Sequence, residues 1–367
     1  MPSSALVKAT RRLSRLSSKP FHRRHNHNYA QTPRFRILFF GRDEFSCEVF
    51  KHLHAAPVPV RLLSIHRAPS HLPQQLPAPF FPGTTPPSPR NLLLTASFGW
   101  ILPASLLALF APGRKLNLHP SLLPSYRGPA PIQHAILNAE RETGVSVVEM
   151  LPVRKGRGEI DAGDIWAQTR APLPPNATFP TLRDSLAHTG GALLVSTLRK
   201  MLAGPLTPVP QTTLSNAAPT HPRAPLIRSS DLNVAFSAST ASDIVRRHRA
   251  LAHHKPLTAF FVSHGSGALD ASHGALAAVK RVQLHDPVAL PAPPEKRPRT
   301  TVPGLAYYDR ATGCVAIACA GETVLGVGRL KRQDKALLGA KEWWNGEGKY
   351  TEDGWGVLRF VAPPLDG

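Results

Sequence analysis

Two kinds of hydrophobic pattern divide this chain. Between residues 35 and 202, short continuous apolar runs are followed by segments whose apolar positions recur at helical spacing. The first run, FRILFF at 35–40, ends at Gly41, and an amphipathic segment follows from about Glu44 to Leu53. A continuous apolar strand followed by an amphipathic helix is typical of parallel sheets, whose two faces are both covered. This region is therefore predicted to form an α/β domain around a parallel sheet.

The same reasoning predicts the remaining elements of this region. Further strands are expected at 58–65, 91–97, 115–119, 144–151 and in the run DIWAQ at 164–168. Helices are expected after Pro103, over 129–140 and over 178–202. The last of these is either one long helix or a pair broken at Gly190 and Gly191. Residues 67–90 are Pro-rich and lack any period, which predicts an irregular loop or disorder.

A different pattern begins after a Pro-rich segment at 203–225. A basic segment at 239–251 predicts a helix, and short β-rich runs follow at 257–262, 278–284, 313–319 and 323–330. Several short strands at such spacing favour a small β-barrel. The predicted organisation is an N-terminal segment at 1–33, a Rossmann-like parallel-sheet domain at 34–207, a linker at 208–225 and an OB-like barrel domain at 226–362.

The charge of the chain indicates a polyanionic partner. Its 44 Lys and Arg residues outnumber its 23 Asp and Glu residues, which gives a formal net charge of +21. Seven of the basic residues lie within residues 1–30, so the rest of the chain still carries +14. A strongly positive protein favours nucleic acid as a partner. No apolar run approaches the roughly 20 residues that a membrane-spanning helix needs, so we expect no membrane insertion.

The first 42 residues mix basic and apolar positions and contain no Asp or Glu. Residues 1–30 are rich in Arg and Ser, and Leu6, Leu13 and Leu16 fall on one helical face. This composition is typical of a mitochondrial transit peptide, which predicts a location in the mitochondrial matrix. The alternative is a basic disordered arm that binds nucleic acid directly.

The three cysteines predict neither a disulfide framework nor a metal site. Cys314 and Cys319 flank the apolar run VAIA, which indicates core positions, and Cys47 stands alone. No second Cys pair and no paired His accompany them at the spacing of zinc ligands. We therefore expect no metal cofactor.

Three polar residues are candidates for catalysis. Asn117 and His119 alternate along the short predicted strand KLNLH, so their side chains emerge on the same face. Ligands of α/β sheets bind at the carboxyl ends of the strands, and Asp161, which follows a separate strand, can reach the same edge. An amide and an imidazole stabilise an oxyanion, and a carboxylate orients a base or relays a proton. The trio therefore suits the transfer of a carbonyl group to an amine.

Taken singly, these pieces are also common in turns and strand ends, but together they resemble a known family. The run from Leu116 to Met150 and the loop behind it are similar to the folate-dependent formyltransferases, and within them to the methionyl-tRNA formyltransferases. The shared pattern consists of Asn117 and His119; Ser121, Leu122, Leu123 and Pro124; Arg127, Gly128, Pro131 and Ile132; Thr143, Gly144 and Val145; and the run from Ile160 to Asp164. The Arg-Gly-x-x-Pro-Ile run resembles the tRNA enzymes rather than the glycinamide formyltransferases.

The resemblance implies a reaction and a role for each residue. The reaction is the transfer of a formyl group from 10-formyltetrahydrofolate, a co-substrate, to the amino group of initiator methionyl-tRNA. Asn117 and His119 would stabilise the oxyanion, and Asp161 would raise the basicity of His119 or hold a proton-removing water. The folate site would be lined by Ser97, Phe98, Gly99, Ser121, Leu122, Leu123 and Pro124. The tRNA site would include Arg127, Lys331, Arg332, Lys335 and Lys341.

Alternatives to a monomeric, mitochondrial tRNA enzyme stay open. One is a folate-dependent formyltransferase that acts on a small amine such as a nucleotide sugar. Another is a catalytically impaired tRNA-binding relative, because the segment at 66–91 is shorter than in the family. At the level of single residues, Arg127 is equally suited to a structural ion pair. Arg246, Arg247 and Arg249 of the basic helix are either tRNA contacts or a solvated helix face.

Overall fold

The computed structural model describes residues 35–56, 60–65, 87–152, 160–215, 221–263, 278–291, 302–347 and 358–363. The predicted transit peptide and most of the Pro-rich segment at 67–90 lie outside the described residues. Within the described residues, no helix has both the length and the apolar character needed to cross a bilayer.

A six-stranded sheet forms the centre of the N-terminal half. Its strands are β1 (Phe35–Gly41), β2 (Val60–Ile65), β3 (Asn91–Ala96), β4 (Lys115–His119), β5 (Glu142–Glu149) and β6 (Ile165–Pro172). They lie in the order β2-β1-β3-β4-β5-β6. The strands β1 to β4 are parallel, which confirms the predicted α/β class, whereas β5 and β6 run antiparallel to their neighbours.

The change of direction occurs in the connection between β4 and β5, residues 120–141. Its helix, α3 (Pro131–Leu137), has only seven residues, which makes it about 10 Å long. Such a helix does not carry the chain back to the start of β4. The chain therefore re-enters the sheet near the end where β4 stops, with His119 opposite Ser146.

Helices cover both faces of this sheet. The helices α1 (Glu44–Ala55) and α4 (Phe179–Ala203) pack together on one face, and α2 (Ala104–Leu107) is a single turn on the other. In β4, Leu116 and Leu118 belong to the core on the side of α1 and α4. Asn117 alternates with them and therefore lies on the opposite face, beside Thr95 of β3.

The helix α4 is unbroken at its two glycines, so the broken-pair alternative is wrong. These glycines are instead positions at which the helix closely approaches its neighbours. A Cβ atom on Gly190 would lie 2.8 Å from a methyl of Leu118, and one on Gly191 would lie 2.6 Å from the ring of His52. The glycines therefore allow α4 to pack tightly against β4 and α1.

The C-terminal half contains the predicted barrel. Its strands are β7 (Leu257–Ser263), β8 (Ala278–Leu290), β9 (Leu305–Asp309), β10 (Cys314–Ala318), β11 (Val324–Arg332), β12 (Leu337–Gly339) and β13 (Leu358–Val361). Six of them close an antiparallel barrel because β10 pairs with both β9 and β11, and β12 extends the sheet at β11. The helix α7 (Ala340–Glu347) packs on the barrel through Trp343, whose ring contacts that of Phe261. The strands β9, β12 and β13 were not predicted, because their runs are too short to show a clear period.

The predicted basic helix, α6 (Ala241–Leu251), joins the two halves rather than presenting a solvated face. Arg246 donates to the carbonyl of Leu137 at the end of α3, and Arg249 donates to the carbonyl of Pro175. Arg247 donates to the carbonyls of Asp231 and Asn233. These guanidinium groups bond to backbone carbonyls, so a freely solvated face is excluded for them.

Candidate active site

Asn117, near the end of β4, forms hydrogen bonds through both the oxygen and the nitrogen of its side-chain amide. Thr95 Oγ1 donates to Asn117 Oδ1 at 2.7 Å, and Asn117 Nδ2 donates to Asp161 Oδ1 at 3.1 Å. An amide nitrogen carries two hydrogens. Since the acceptor Asp161 uses one of them, the second N–H of Asn117 can donate to another oxygen.

The imidazole of His119 is buried and is held from one side by the backbone. Its Nε2 atom lies 2.9 Å from the carbonyl oxygen of Tyr126. A carbonyl only accepts, so this contact assigns a proton to Nε2. The other nitrogen, Nδ1, lies 3.5 Å from Asp161 Oδ2 and is therefore the atom available for proton transfer beside the carboxylate.

Asp161 contacts both of these residues from a separate loop, just before β6. Its side chain is only 10% exposed, and its backbone has a positive φ of 58°. The backbone N–H of Gly128 also donates to Asp161 Oδ2, at 3.2 Å. The structure thus brings the predicted amide, imidazole and carboxylate together from two chain segments.

Gln211 fixes the loop of Asp161 and was not found from the sequence. It is buried at the start of the short helix α5 (Gln211–Ser215), and its Nε2 donates to the carbonyls of Asp161 and Gly163, both at 2.7 Å. Its Oε1 accepts from Nε and Nη2 of Arg127, at 2.9 and 2.6 Å. A Gln within a Pro-rich segment carries no period or motif that would single it out.

The segment predicted as a linker therefore contributes to the site. The segment includes α5, and its Val209 forms a backbone bridge with Ile165 of β6. Farther along, Tyr126 and Ala130 donate backbone hydrogen bonds to Pro222 and Ala224. The segment lies along the loop that follows β4, so it buttresses both His119 and Asp161 from outside.

Gly163 is required where this loop crosses β5. A Cβ atom there would overlap the backbone carbonyl of Glu149. A strand backbone cannot move aside as the end of a flexible side chain could. We expect Gly163→Ala to lower the free energy of unfolding by about 1–3 kcal/mol through overpacking. Thermal and urea unfolding measure this change.

The matched control is Gly204→Ala, because a Cβ atom at Gly204 meets nothing within 4 Å. This substitution should change the free energy of unfolding by no more than about 0.5 kcal/mol. Equal stabilities for the two variants would contradict the close approach of Gly163 to β5.

The residues predicted to line a folate site fall into a buried and an exposed set. Ser121, Leu123, Pro124 and Phe98 are buried, and Phe98 contacts the ring of Phe40. Leu122 is half-buried, whereas Ser97 and Gly99 are exposed. These residues lie at the carboxyl ends of β3 and β4, which is the same edge of the sheet as the trio.

Ser97 is also tied to the start of α1. Its hydroxyl donates to Asp43, which caps α1 by accepting from the Ser46 N–H. Burial raises the pKa of the Asp43 carboxyl, and the hydrogen bonds from Ser97 and Ser46 act in the opposite direction. The exposed turn after β3 is thereby anchored to the turn after β1.

The residues predicted to contact tRNA differ in solvent exposure and in whether their charges are paired. Lys335 and Lys341 are exposed, and Lys331 is half-buried. Arg332 pairs with Glu347, which also contacts Lys280. Arg127 bonds to Gln211, which favours a structural role for its guanidinium.

Comparison with known proteins gives matches over both halves of the chain. Residues 88–198 match a family model described as formyl transferase, and residues 226–348 match one described as formyl transferase, C-terminal domain. The mitochondrial methionyl-tRNA formyltransferase of Rattus norvegicus is 28% identical over 335 residues, which cover 86% of this chain and 79% of that protein. The methionyl-tRNA formyltransferase of Lactobacillus delbrueckii subsp. bulgaricus is 31% identical over 268 residues, or 71% of each chain.

Solved structures share the fold at low sequence identity. A variant of HypX from Aquifex aeolicus matches with a TM-score of 0.54 and 18% identity, over 86% of this chain and 49% of that chain. This chain therefore spans about half the length of HypX. The sugar 3N-formyl transferase WlaRD matches with a TM-score of 0.50 and 13% identity, over 82% of this chain and 99% of WlaRD.

Proposed function

The chain belongs to the methionyl-tRNA formyltransferase family, and we propose that it transfers a formyl group from 10-formyltetrahydrofolate to the amino group of initiator methionyl-tRNA. The observation that carries this proposal is the contact of Asp161 with both Asn117 and His119. The relatives named above act on methionyl-tRNA, and a related HypX structure holds tetrahydrofolic acid. That HypX chain matches with a TM-score of 0.51 at 17% identity, so it supports the fold alone, and the trio supports the chemistry.

The chemistry of the proposed step follows from the positions of the three side chains. The methionyl nitrogen forms a bond to the formyl carbon, and the formyl oxygen takes up negative charge. The second N–H of Asn117 donates to that oxygen, which lowers the energy of the transition state. His119 Nδ1 takes the proton released by the amine, and Asp161 stabilises the imidazolium. The carbonyl then re-forms as the bond from the carbon to the folate nitrogen breaks, and that nitrogen takes the proton from His119 Nδ1.

The charge of the chain supports a tRNA substrate. The net charge outside residues 1–30 is +14. Such a charge attracts the phosphates of a nucleic acid whatever its base sequence. Lys335, between β11 and β12, and Lys341, on α7, are exposed and are proposed phosphate contacts. Mitochondrial relatives and the basic N-terminal composition support a place in mitochondrial translation initiation, in the matrix.

Gln211 is proposed to position Asp161 for this step. Gln211→Ala should lower kcat by about 10²-fold, since a displacement of about 1 Å in a catalytic group has an effect of that size. The KM values for both substrates should change little, because Gln211 bonds to the backbone of the Asp161 loop and to Arg127. The neighbouring exposed Thr212→Ala is the control, and a KM effect without a kcat effect would contradict the positioning role.

The full chain, charged initiator tRNA and 10-formyltetrahydrofolate test the proposed function. Formylmethionine released from the tRNA is measured by mass spectrometry, beside reactions with free methionine and with a nucleotide amino sugar. We expect formylation of the charged tRNA alone, at a rate that falls as salt rises. Turnover of the amino sugar without the tRNA would instead support a small-amine enzyme, and tRNA binding without turnover would support an impaired relative.

A further inference from the structure

A cluster of metal-binding side chains lies between α1 and α4. Glu48 and His52 are four residues apart on α1 and share one face, and His188 approaches them from α4. His52 Nε2 lies 3.1 Å from His188 Nδ1. Glu48 Oε1 lies 3.7 Å from His52 Nε2 and 3.9 Å from His188 Nδ1. One potential ligand atom of each side chain thus lies within 4 Å of the other two.

The ligand atoms are held by their surroundings. The ring of His52 packs against Gly191, where a Cβ atom would lie 2.6 Å from it, so the glycine sets the position of this imidazole. Lys51 bonds to the other carboxylate oxygen of Glu48, Oε2, at 2.9 Å. The oxygen that faces the histidines, Oε1, therefore stays directed to the centre of the cluster.

The donor set is that of a zinc site. Two imidazole nitrogens and one carboxylate oxygen are common zinc ligands, with bonds of about 2.0–2.2 Å. Tetrahedral geometry with such bonds separates the ligand atoms by roughly 3.3 Å, and the observed 3.1, 3.7 and 3.9 Å lie around this value. A hydrogen bond between the two imidazoles accounts for their contact, and ion pairing with a protonated imidazole accounts for the approach of Glu48 Oε1. Zinc coordination accounts for all three separations at once.

We propose that Glu48, His52 and His188 bind a divalent transition metal ion of the zinc type, with a fourth position open to water. The ion links α1 to α4 and serves a structural role. These helices cover the face of the sheet opposite to Asn117, so the ion is separate from the proposed reaction centre. The sequence gives no sign of this site because His52 and His188 are 136 positions apart.

Zinc binding by the full chain tests the proposal. Protein treated with a chelator is titrated with zinc chloride against a chromophoric chelator, and thermal unfolding is followed with and without zinc. The variants are His188→Ala, at a position whose side chain is 71% exposed, and Glu48→Gln. The control is His54→Ala, an exposed histidine of the same helix outside the cluster.

We expect the wild type and His54→Ala to bind the same number of zinc ions and to gain about 3 °C or more in Tm at saturating zinc. His188→Ala should bind one ion fewer and lose the gain in Tm, and Glu48→Gln should bind that ion at least about 10-fold more weakly. Zinc held by other histidines, such as those at 22, 25 and 27, would appear equally in every variant. An unchanged stoichiometry and an unchanged Tm gain in His188→Ala would overturn the proposal.

Discussion

Replacing Asn117 with alanine is expected to lower kcat/KM for formyl transfer by about 10²–10³-fold, the loss associated with one oxyanion donor. The amide is oriented before substrate arrives, because Thr95 Oγ1 bonds its oxygen and Asp161 accepts one of its N–H groups. The remaining N–H is therefore already oriented to donate to the oxyanion, and the side chain does not have to move when substrate binds. Alanine removes this donor entirely. Steady-state kinetics with charged initiator tRNA and formyl-folate measure the change.

Two further variants sharpen this result. Asn117→Asp keeps the shape of the side chain but places a second carboxylate beside Asp161, so it should be at least as impaired as the alanine variant. Asn176→Ala removes an exposed amide elsewhere in the same half of the chain and should keep wild-type kinetics. Activity within about threefold of wild type in Asn117→Ala would remove this residue from the mechanism.

Asp161→Asn should lower kcat by about 10²-fold or more, the contribution typical of acid–base machinery. The substitution preserves size but removes the negative charge 3.5 Å from His119 Nδ1, so the imidazolium formed in the proposed step loses its partner. The double variant Asp161→Asn, His119→Ala should be little worse than His119→Ala alone, because residues that act as a unit are not additive.

The control for this experiment is Asp184→Asn, which changes an exposed carboxylate on α4. Its kinetics should match the wild type. Circular dichroism and thermal unfolding check whether Asp161→Asn is folded, since Asp161 also accepts a hydrogen bond from the Gly128 N–H. Fully additive losses in the double variant would show that Asp161 and His119 act independently and would contradict the proposed pairing.

The sequence was sufficient for features that depend on neighbouring positions. The alternation of β4 placed Asn117 and His119 on one face, and the apolar runs predicted β1, β3 and the parallel part of the sheet. The contact of Asp161 with this pair was also anticipated, although Asp161 precedes β6 in the antiparallel part of the sheet and does not follow a parallel strand. These predictions rest on the short periods of strands and helices, which a few consecutive residues display.

Other features were decided by contacts between distant segments. Gln211 reaches Asp161 across 50 positions, and nothing in its Pro-rich surroundings marks it. Gly190 and Gly191 suggested a possible break, yet they are the points at which α4 meets β4 and α1.

The sequence by itself therefore determined most of the kinds of element and singled out Asn117, His119 and Asp161 as candidates. Only the tertiary structure decided what supports them. Arg246, Arg247 and Arg249 illustrate the reason, since their charge is visible in the sequence but their carbonyl acceptors are not. A buried polar group takes whatever partner the completed fold brings within reach, and local periodicity carries no record of that partner.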